Sequence, residues 1–266
     1  MRNFQFESRL PIDSVQKLLD DIQALRAEKS ALGHTWYFRG DRTSDALKPS
    51  IGQELKYAGK KLIADDIVER KFLNRFKRYA YQQFNRIDND WEALFLARHY
   101  ELPTRILDWT TNPLVALYFA CSPAADAPVP GVVWGILRFP DETHDIDILD
   151  SQNRPLDLYP GNPTAIKMIY PVYNSARITA QKGVFSWHSH PHVELKSFAA
   201  QSFDDDKLDI ARLAQWPVDT SKDGGSIRTR IIQELENLGI NQRMIFPDLI
   251  GITRGIWHTE VLWNGS

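Results

Sequence analysis

Arg39 follows a short aromatic run, His34-Thr35-Trp36-Tyr37-Phe38, and precedes Gly40-Asp41, the pattern of a strand running into a turn. An arginine at a strand end can grip an anionic ligand, or it can pair with a carboxylate such as Asp41 or Asp108; the residues leave both readings open. Arg105 and Asp108 are expected to fix the Leu102–Asn112 turn through charge-assisted bonds, with Arg98 and Arg105 as partners for a substantially buried Asp108. Thr110, Thr111 and Asn112 stand before Pro113, where such side chains cap the following helix; an exposed helix N-terminus there would also favour a phosphate. His99 falls on the apolar face set by Trp91 and Phe95, which predicts a hydrogen-bonded core histidine rather than a general base. His188, His190 and His192 alternate as on one strand face and have the chemistry of metal ligands. Pro191 interrupts them, and no carboxylate or cysteine stands at ligand spacing, so no metal is expected. Cys121 lies on the buried stripe of its helix and reads as packing.

These residues must be positioned by elements that the periodicity predicts. Asp13-Ser14-Val15-Gln16 has the form of a helix start, and Val15, Leu18, Leu19, Ile22 and Leu25 then repeat at helical spacing, giving a helix over about 14–28. A longer helix carries Ile63, Ile67, Phe72, Phe76 and Phe84, and a further one Trp91, Leu94, Phe95 and His99. The helix after Asn112-Pro113 buries Leu114, Leu117, Tyr118 and Cys121. Residues 123–130 read as a loop, Val132–Leu137 as a buried strand, and Thr164–Tyr173, Ala176–Trp187 and Leu208–Trp216 as further strands. Ile227, Ile231, Leu235 and Leu238, closed by Gly239, form the last clear helix, while 204–206 and 222–225 are turns. The order predicts an α/β chain of the α+β type, with a helical N-terminal half packed on a mainly β second half.

Composition sets limits on function. Hydrophobic residues make up 43% and charged residues 25%, values of an ordinary globular protein, and the net charge of −2 with a pI near 6.4 gives no global attraction to nucleic acid or anionic lipid. The basic stretch from Glu69-Arg70-Lys71 to Lys77-Arg78 alternates with Phe72, Leu73 and Phe76 and reads as a solvated helix face. A single cysteine and an N-terminus without an apolar signal core predict a cytoplasmic protein with no membrane partner. The chain has no P-loop, no Gly-x-Gly-x-x-Gly fingerprint and no Gly-x-Ser-x-Gly elbow, which removes those enzyme classes.

Four blocks resemble the FRG-domain family: Tyr37-Phe38-Arg39-Gly40; Arg98-His99-Tyr100 leading into Leu102-Pro103-Thr104-Arg105-Ile106-Leu107-Asp108-Trp109-Thr110-Thr111-Asn112-Pro113; Arg177 with Gln181-Lys182-Gly183-Val184-Phe185; and Phe246-Pro247-Asp248-Leu249. Arg98 stands where the family more often has Gln. The resemblance implies one domain over 1–266, with 36–250 as its core and 1–30 as a helical extension. It also implies a distant likeness to the ADP-ribosyltransferase fold, with its split sheet and three motifs in chain order, here Arg39, then Thr110 or Thr111, then Gln181. On that likeness the chain would use NAD as substrate, as an ADP-ribosyltransferase with a macromolecular acceptor or as an NAD glycohydrolase. Arg39, Thr110 and Gln181 would be catalytic, Arg39 and Thr111 would bind the dinucleotide, and Tyr37 or Trp109 would stack on nicotinamide. Gln181 lacks the charge of a catalytic glutamate, for which Glu194 and Asp108 are possible substitutes. The alternative is a non-catalytic domain that recognises a nucleotide or a protein partner in a bacterial stress or antiphage setting.

Overall fold

A computed structural model describes residues 2–28, 33–42, 47–82, 87, 89–122, 131–138, 146–147, 166–171, 176–200, 202–203, 210–219 and 226–264. Helix starts follow the side chains that can accept from free backbone amides. Ser14 accepts from Lys17 N at 3.3 Å, Asp65 from Val68 N at 2.8 Å, Asn89 from Glu92 N at 2.9 Å and Asn112 from Leu114 N at 3.0 Å.

The chain begins with β1 (Arg2–Asn3), β2 (Gln5–Ser8), α1 (Val15–Ala27) and β3 (Thr35–Asp41). A hairpin of β4 (Leu55–Tyr57) and β5 (Lys60–Leu62) leads to α2 (Asp66–Ala80) and α3 (Asp90–His99). Then come β6 (Ile106–Thr110), α4 (Pro113–Cys121), β7 (Val132–Arg138), β8 (Ile146–Asp147) and β9 (Ile166–Tyr170). The remainder is α5 (Ala176–Gln181), β10 (Gly183–His188), β11 (Ser202–Phe203), β12 (Ile210–Pro217), α6 (Ser226–Asn237), α7 (Gln242–Ile245) and α8 (Leu249–Asn264). The fold is α+β: the main sheet takes β2, β3 and β6 from the first half of the chain and five more strands from the second. No described helix is long and apolar enough to cross a membrane.

Several segments differ from the reading of the sequence: Ile63 lies before α2 and is exposed, as is Ile67 within it, and the β4–β5 hairpin was not expected. Leu102–Asn112 is not a turn: Ile106–Thr110 form an interior strand, β6, between β3 and β10. Residues 176–187 are a short helix followed by a strand; the break is Lys182, at φ 47°, whose amide returns to Thr179 O at 3.1 Å. A final helix, α8, which the sequence reading did not include, follows Asp248, whose carboxylate accepts from Gly251 N at 2.7 Å; Leu249, Ile256 and Trp257 on it are exposed. The expected loops at 123–130, 204–206 and 222–225, and Phe84, lie outside the described residues.

The main sheet runs β2-β12-β7-β3-β6-β10-β9-β8, antiparallel except for the outermost pairs β2–β12 and β8–β9. It is split in the middle. β3 pairs with β7 along its whole length and β6 with β10 along its whole length, but β3 and β6 share one pair, Phe38 opposite Thr110. On one face, α1, α4 and α6 pack over the first half around Trp36, Phe38, Leu137 and Trp216, while α2 and α3 pack over the second around Ile106, Ile169, Phe185 and Trp187. The two helical groups leave a space above the seam. The opposite face buries Tyr37, Leu107, Trp109, Trp134 and Met168.

Gly40 and Gly131 permit this packing. A Cβ on Gly40 would lie 1.8 Å from Ala116 O and 2.6 Å from Ala120 N, and one on Gly131 2.0 Å from Ala120 O, so α4 rests directly on the strand backbone. Those contacts are backbone atoms, which cannot swing aside. Gly40→Ala should therefore destabilise the protein by about 1–3 kcal/mol or more, the range for overpacking a core. Thermal unfolding should register this as a fall of roughly 2–4 °C per kcal/mol. Gly183→Ala, whose new Cβ would meet nothing closer than 3.5 Å, should leave the melting point within about 2 °C, a shift under 1 kcal/mol.

Candidate functional site

The space above the seam is a cleft of about 310 Å³, at the small end of ligand-pocket sizes. Its floor is the seam itself, from Phe38, Arg39, Asp108, Thr110 and Phe185, and its walls come from α3 (Phe95, Arg98, His99), α4 (Val115, Phe119) and α5 (Arg177, Ile178, Gln181). Three of the four sequence blocks line it. The fourth contacts the wall through Phe246, whose ring lies 4.3 Å from the Arg177 guanidinium carbon and stacks edge-on against Phe119.

Asp108 is the central group. Because β3 and β6 pair only once, its backbone carbonyl is taken by a side chain, Arg39 Nη1 at 3.1 Å. The carboxylate accepts from Arg98 Nε at 2.8 Å and lies 3.6 Å from Arg39, which also binds Asp41. Its side chain is 43% exposed, opening into the cleft, and Arg105 is not its partner. Confinement at the cleft floor pushes its pKa up, but the charges of Arg98 and then Arg39 outweigh this, so the carboxyl lies below its ordinary range and is ionised at neutral pH. Arg98 is correspondingly held charged.

The buried anchor that the sequence assigned to Asp108 is instead Arg105 with Glu69. The two are 1% and 2% exposed, and Glu69 accepts from Arg105 N at 2.8 Å and Nε at 2.7 Å, with Asp66 on the same guanidinium. Burial raises the Glu69 carboxyl above the usual range despite the guanidinium beside it. The pair ties α2 to the start of β6.

The remaining sequence-derived residues divide sharply. Thr110 and Gln181 line the cleft beside Arg39, but their polar groups are engaged. The Thr110 hydroxyl donates to Gln181 O at 2.6 Å and accepts from Asn112 N at 3.0 Å; Gln181 Nε2 donates to Ile245 O at 3.2 Å. Thr111 is exposed and does not line the cleft. Tyr37 and Trp109, each 2% exposed, put their rings in the core on the other face, where Tyr37 shares a hydrogen bond with Tyr170 and Trp109 Nε1 donates to Ser186 Oγ at 2.8 Å. Tyr37 does not line the cleft, and Trp109, which does border it, keeps its ring in that opposite core rather than free to stack on a ligand. Glu194 pairs with Lys196 at 3.1 Å, away from it.

The histidines also part company. His99 is a half-buried wall of the cleft rather than a core residue, with its ring edge-on to Tyr100; burial, and then the charge of Arg177, lower its pKa. His188 is buried against Ser186, His190 contacts Ser189, and His192 Nδ1 lies 3.3 Å from Gly52 O. Among the described residues no three His, Cys, Asp or Glu side chains gather as a metal site. Cys121 is buried and its thiol pKa is pushed up to about 12 by that burial. Arg177 carried no role in the sequence reading, although its four-residue spacing to Gln181 would have placed both on one helix face.

An α+β fold with a polar, ligand-sized cleft at the seam of a split sheet defines the class of this protein. The family model of the FRG domain matches residues 34–128, and over that stretch the chain is similar to the FRG-domain family. No curated protein and no solved structure matches it.

Glu69→Gln should cost about 3–5 kcal/mol, the usual penalty for leaving one member of a buried pair uncompensated. Asp108→Asn, open to the cleft, should cost about 0–1 kcal/mol in the same chemical-denaturation measurement. A second expectation concerns pH. Burial lowers the His188 pKa to about 3, so the folded protein keeps this imidazole neutral while the unfolded chain protonates near 6.5. Stability is therefore full above that value and declines as the pH falls toward 3, by roughly 1.4 kcal/mol per unit at most, with His99 adding to the same trend. Unfolding free energies measured between pH 7 and 4 should show a shallower slope in His188→Asn.

Proposed function

We propose that the cleft binds NAD as a substrate and cleaves its nicotinamide–ribose bond, passing ADP-ribose to water or to a macromolecular acceptor. The observation that carries this reading is an ionised carboxylate, Asp108, held by two guanidiniums yet open to an enclosed cleft. Loss of nicotinamide leaves an oxocarbenium-like carbon, and a fixed negative charge in a partly dry site stabilises such a centre more than water does. The nicotinamide nitrogen is already positively charged, so departure needs no acid, and positioning supplies most of what remains. With water as acceptor, NAD⁺ and water give ADP-ribose, nicotinamide and a proton; His99, neutral at physiological pH, can take that proton.

Asp108 here takes the part for which Gln181 lacked a charge. Arg39 becomes the residue that orients Asp108, and Thr110 and Gln181 hold α5 against β6 rather than the ribose. Phe119, half-buried in the wall, replaces Tyr37 and Trp109 as the apolar surface for nicotinamide. The proposed setting is the cytoplasm, in a stress or antiphage role.

A second reading has one observation in its favour. Two arginines on one carboxylate also blunt its charge, as suits a domain that recognises a nucleotide without turning it over. Nicotinamide release by the purified chain separates the two. Turnover should fall by at least about 100-fold, roughly 2.7 kcal/mol of transition-state stabilisation, in Asp108→Asn with the fold retained. Binding of NAD without release under any acceptor condition would favour recognition, and no binding at all would end both.

A further inference from the structure

Arg177 is an unusual cation among those of the cleft. Arg39 and Arg98 each contact Asp108, but Arg177 has no carboxylate within ion-pair distance among the described residues. The acids that act on it from farther away are engaged elsewhere or exposed: Asp108 is held by Arg98, Asp248 caps α8 through Gly251 N at 2.7 Å, and Glu101 lies at the solvent edge. Desolvation accordingly lowers its pKa, and Arg254 on α8 adds repulsion. A half-buried charge without a partner is costly, and folded proteins retain one mainly where something else supplies the counter-charge.

Its geometry is that of a prepared anion ligand. The Phe246 ring, 4.3 Å from the guanidinium carbon, covers one face of the planar group, which leaves the N–H edge for two parallel hydrogen bonds. Backing by an aromatic ring also reduces the rotamer freedom lost on binding. His99 lines the same wall and, being neutral, adds an N–H donor without further positive charge.

We propose that Arg177, backed by Phe246 and assisted by His99, is a subsite for the phosphoryl oxygens of a nucleotide ligand. This rests on the reading of the cleft as a nucleotide site and assigns the anion-binding role to Arg177 instead of Arg39. The phosphate thereby sits toward α5, which places the ribose over Asp108 at the seam.

The test is calorimetric binding of ADP-ribose and of inorganic pyrophosphate to the full chain and to Arg177→Met, Arg177→Lys and Arg254→Met, with thermal melts to confirm folding. Arg177→Met should weaken both probes by roughly 10- to 100-fold, the range for a charged hydrogen-bonding pair. Arg177→Lys should recover part of the loss, because it keeps the charge without the fork. Arg254→Met, which removes a neighbouring charge outside the cleft lining, should stay within about twofold if contact rather than net charge governs binding. Equal binding by wild type and a folded Arg177→Met, or equal losses in Arg177→Met and Arg254→Met, overturns the proposal, as does a wild-type chain that binds neither probe. Failure of the NAD reading looks different: no nicotinamide is released, while Arg177-dependent binding of ADP-ribose persists.

Discussion

One pair of residues, Phe38 opposite Thr110, joins two four-stranded half-sheets, and the site follows from how little that pair holds. Along a full ladder the Asp108 carbonyl would have a backbone partner. At the seam it has none, and a buried carbonyl must be satisfied somehow, so Arg39 reaches across to take it. That bond fixes the guanidinium beside the Asp108 carboxylate, and Arg98 from α3 completes the cluster. The seam also keeps the two helical groups apart, since α4 is committed to β3 through Gly40 and α3 to β10 through Phe95 and Phe185, whose rings stack at 4.8 Å. The cleft is the volume that these commitments leave uncovered.

Two ionic clusters lie close together in the chain and have opposite characters. Arg105 and Glu69 are sealed, meet each other's donors and acceptors, and fix α2 against the start of β6. Three residues along, Asp108 faces the opening, where its charge is available to a visitor. The alternation of a strand and its position relative to α2 decide which is which. Sealed pairs gain strength from low dielectric at a heavy desolvation cost, whereas a carboxylate at a cleft floor keeps part of its hydration until a ligand displaces it.

Local signals in the sequence located most elements. The caps Ser14 and Asn112, the apolar stripe of α1 and the continuous apolar run of β7 required no tertiary knowledge, and Gly239 at φ 80° ends α6 as its position predicts. Lys182 defeated the same approach, because a lysine in the left-handed region carries no compositional mark, and a six-residue helix merged with the strand after it. For the site, Arg39, Thr110 and Gln181 were drawn to one place by family resemblance, and the structure brings them to one cleft. Their roles were not legible. Whether Tyr37 faces the cleft or the opposite core depends on strand register, and whether Arg98 or Arg105 reaches Asp108 depends on how α3 crosses the sheet. Neither is written in residue type.

The route of the chain through the sheet has a consequence for how the molecule can come together. The backbone passes from β3 across the seam to β6, returns to β7, crosses again for β8, β9 and β10, and comes back for β12. Each half-sheet is thus stitched from segments distant in sequence, and neither could be excised as a contiguous fragment. Everything through β12 must be synthesised before that strand can insert between β2 and β7, which leaves the early strands with an unfilled edge on the way. Such wiring predicts slow assembly dominated by non-local closure, with the cleft among the last features to exist.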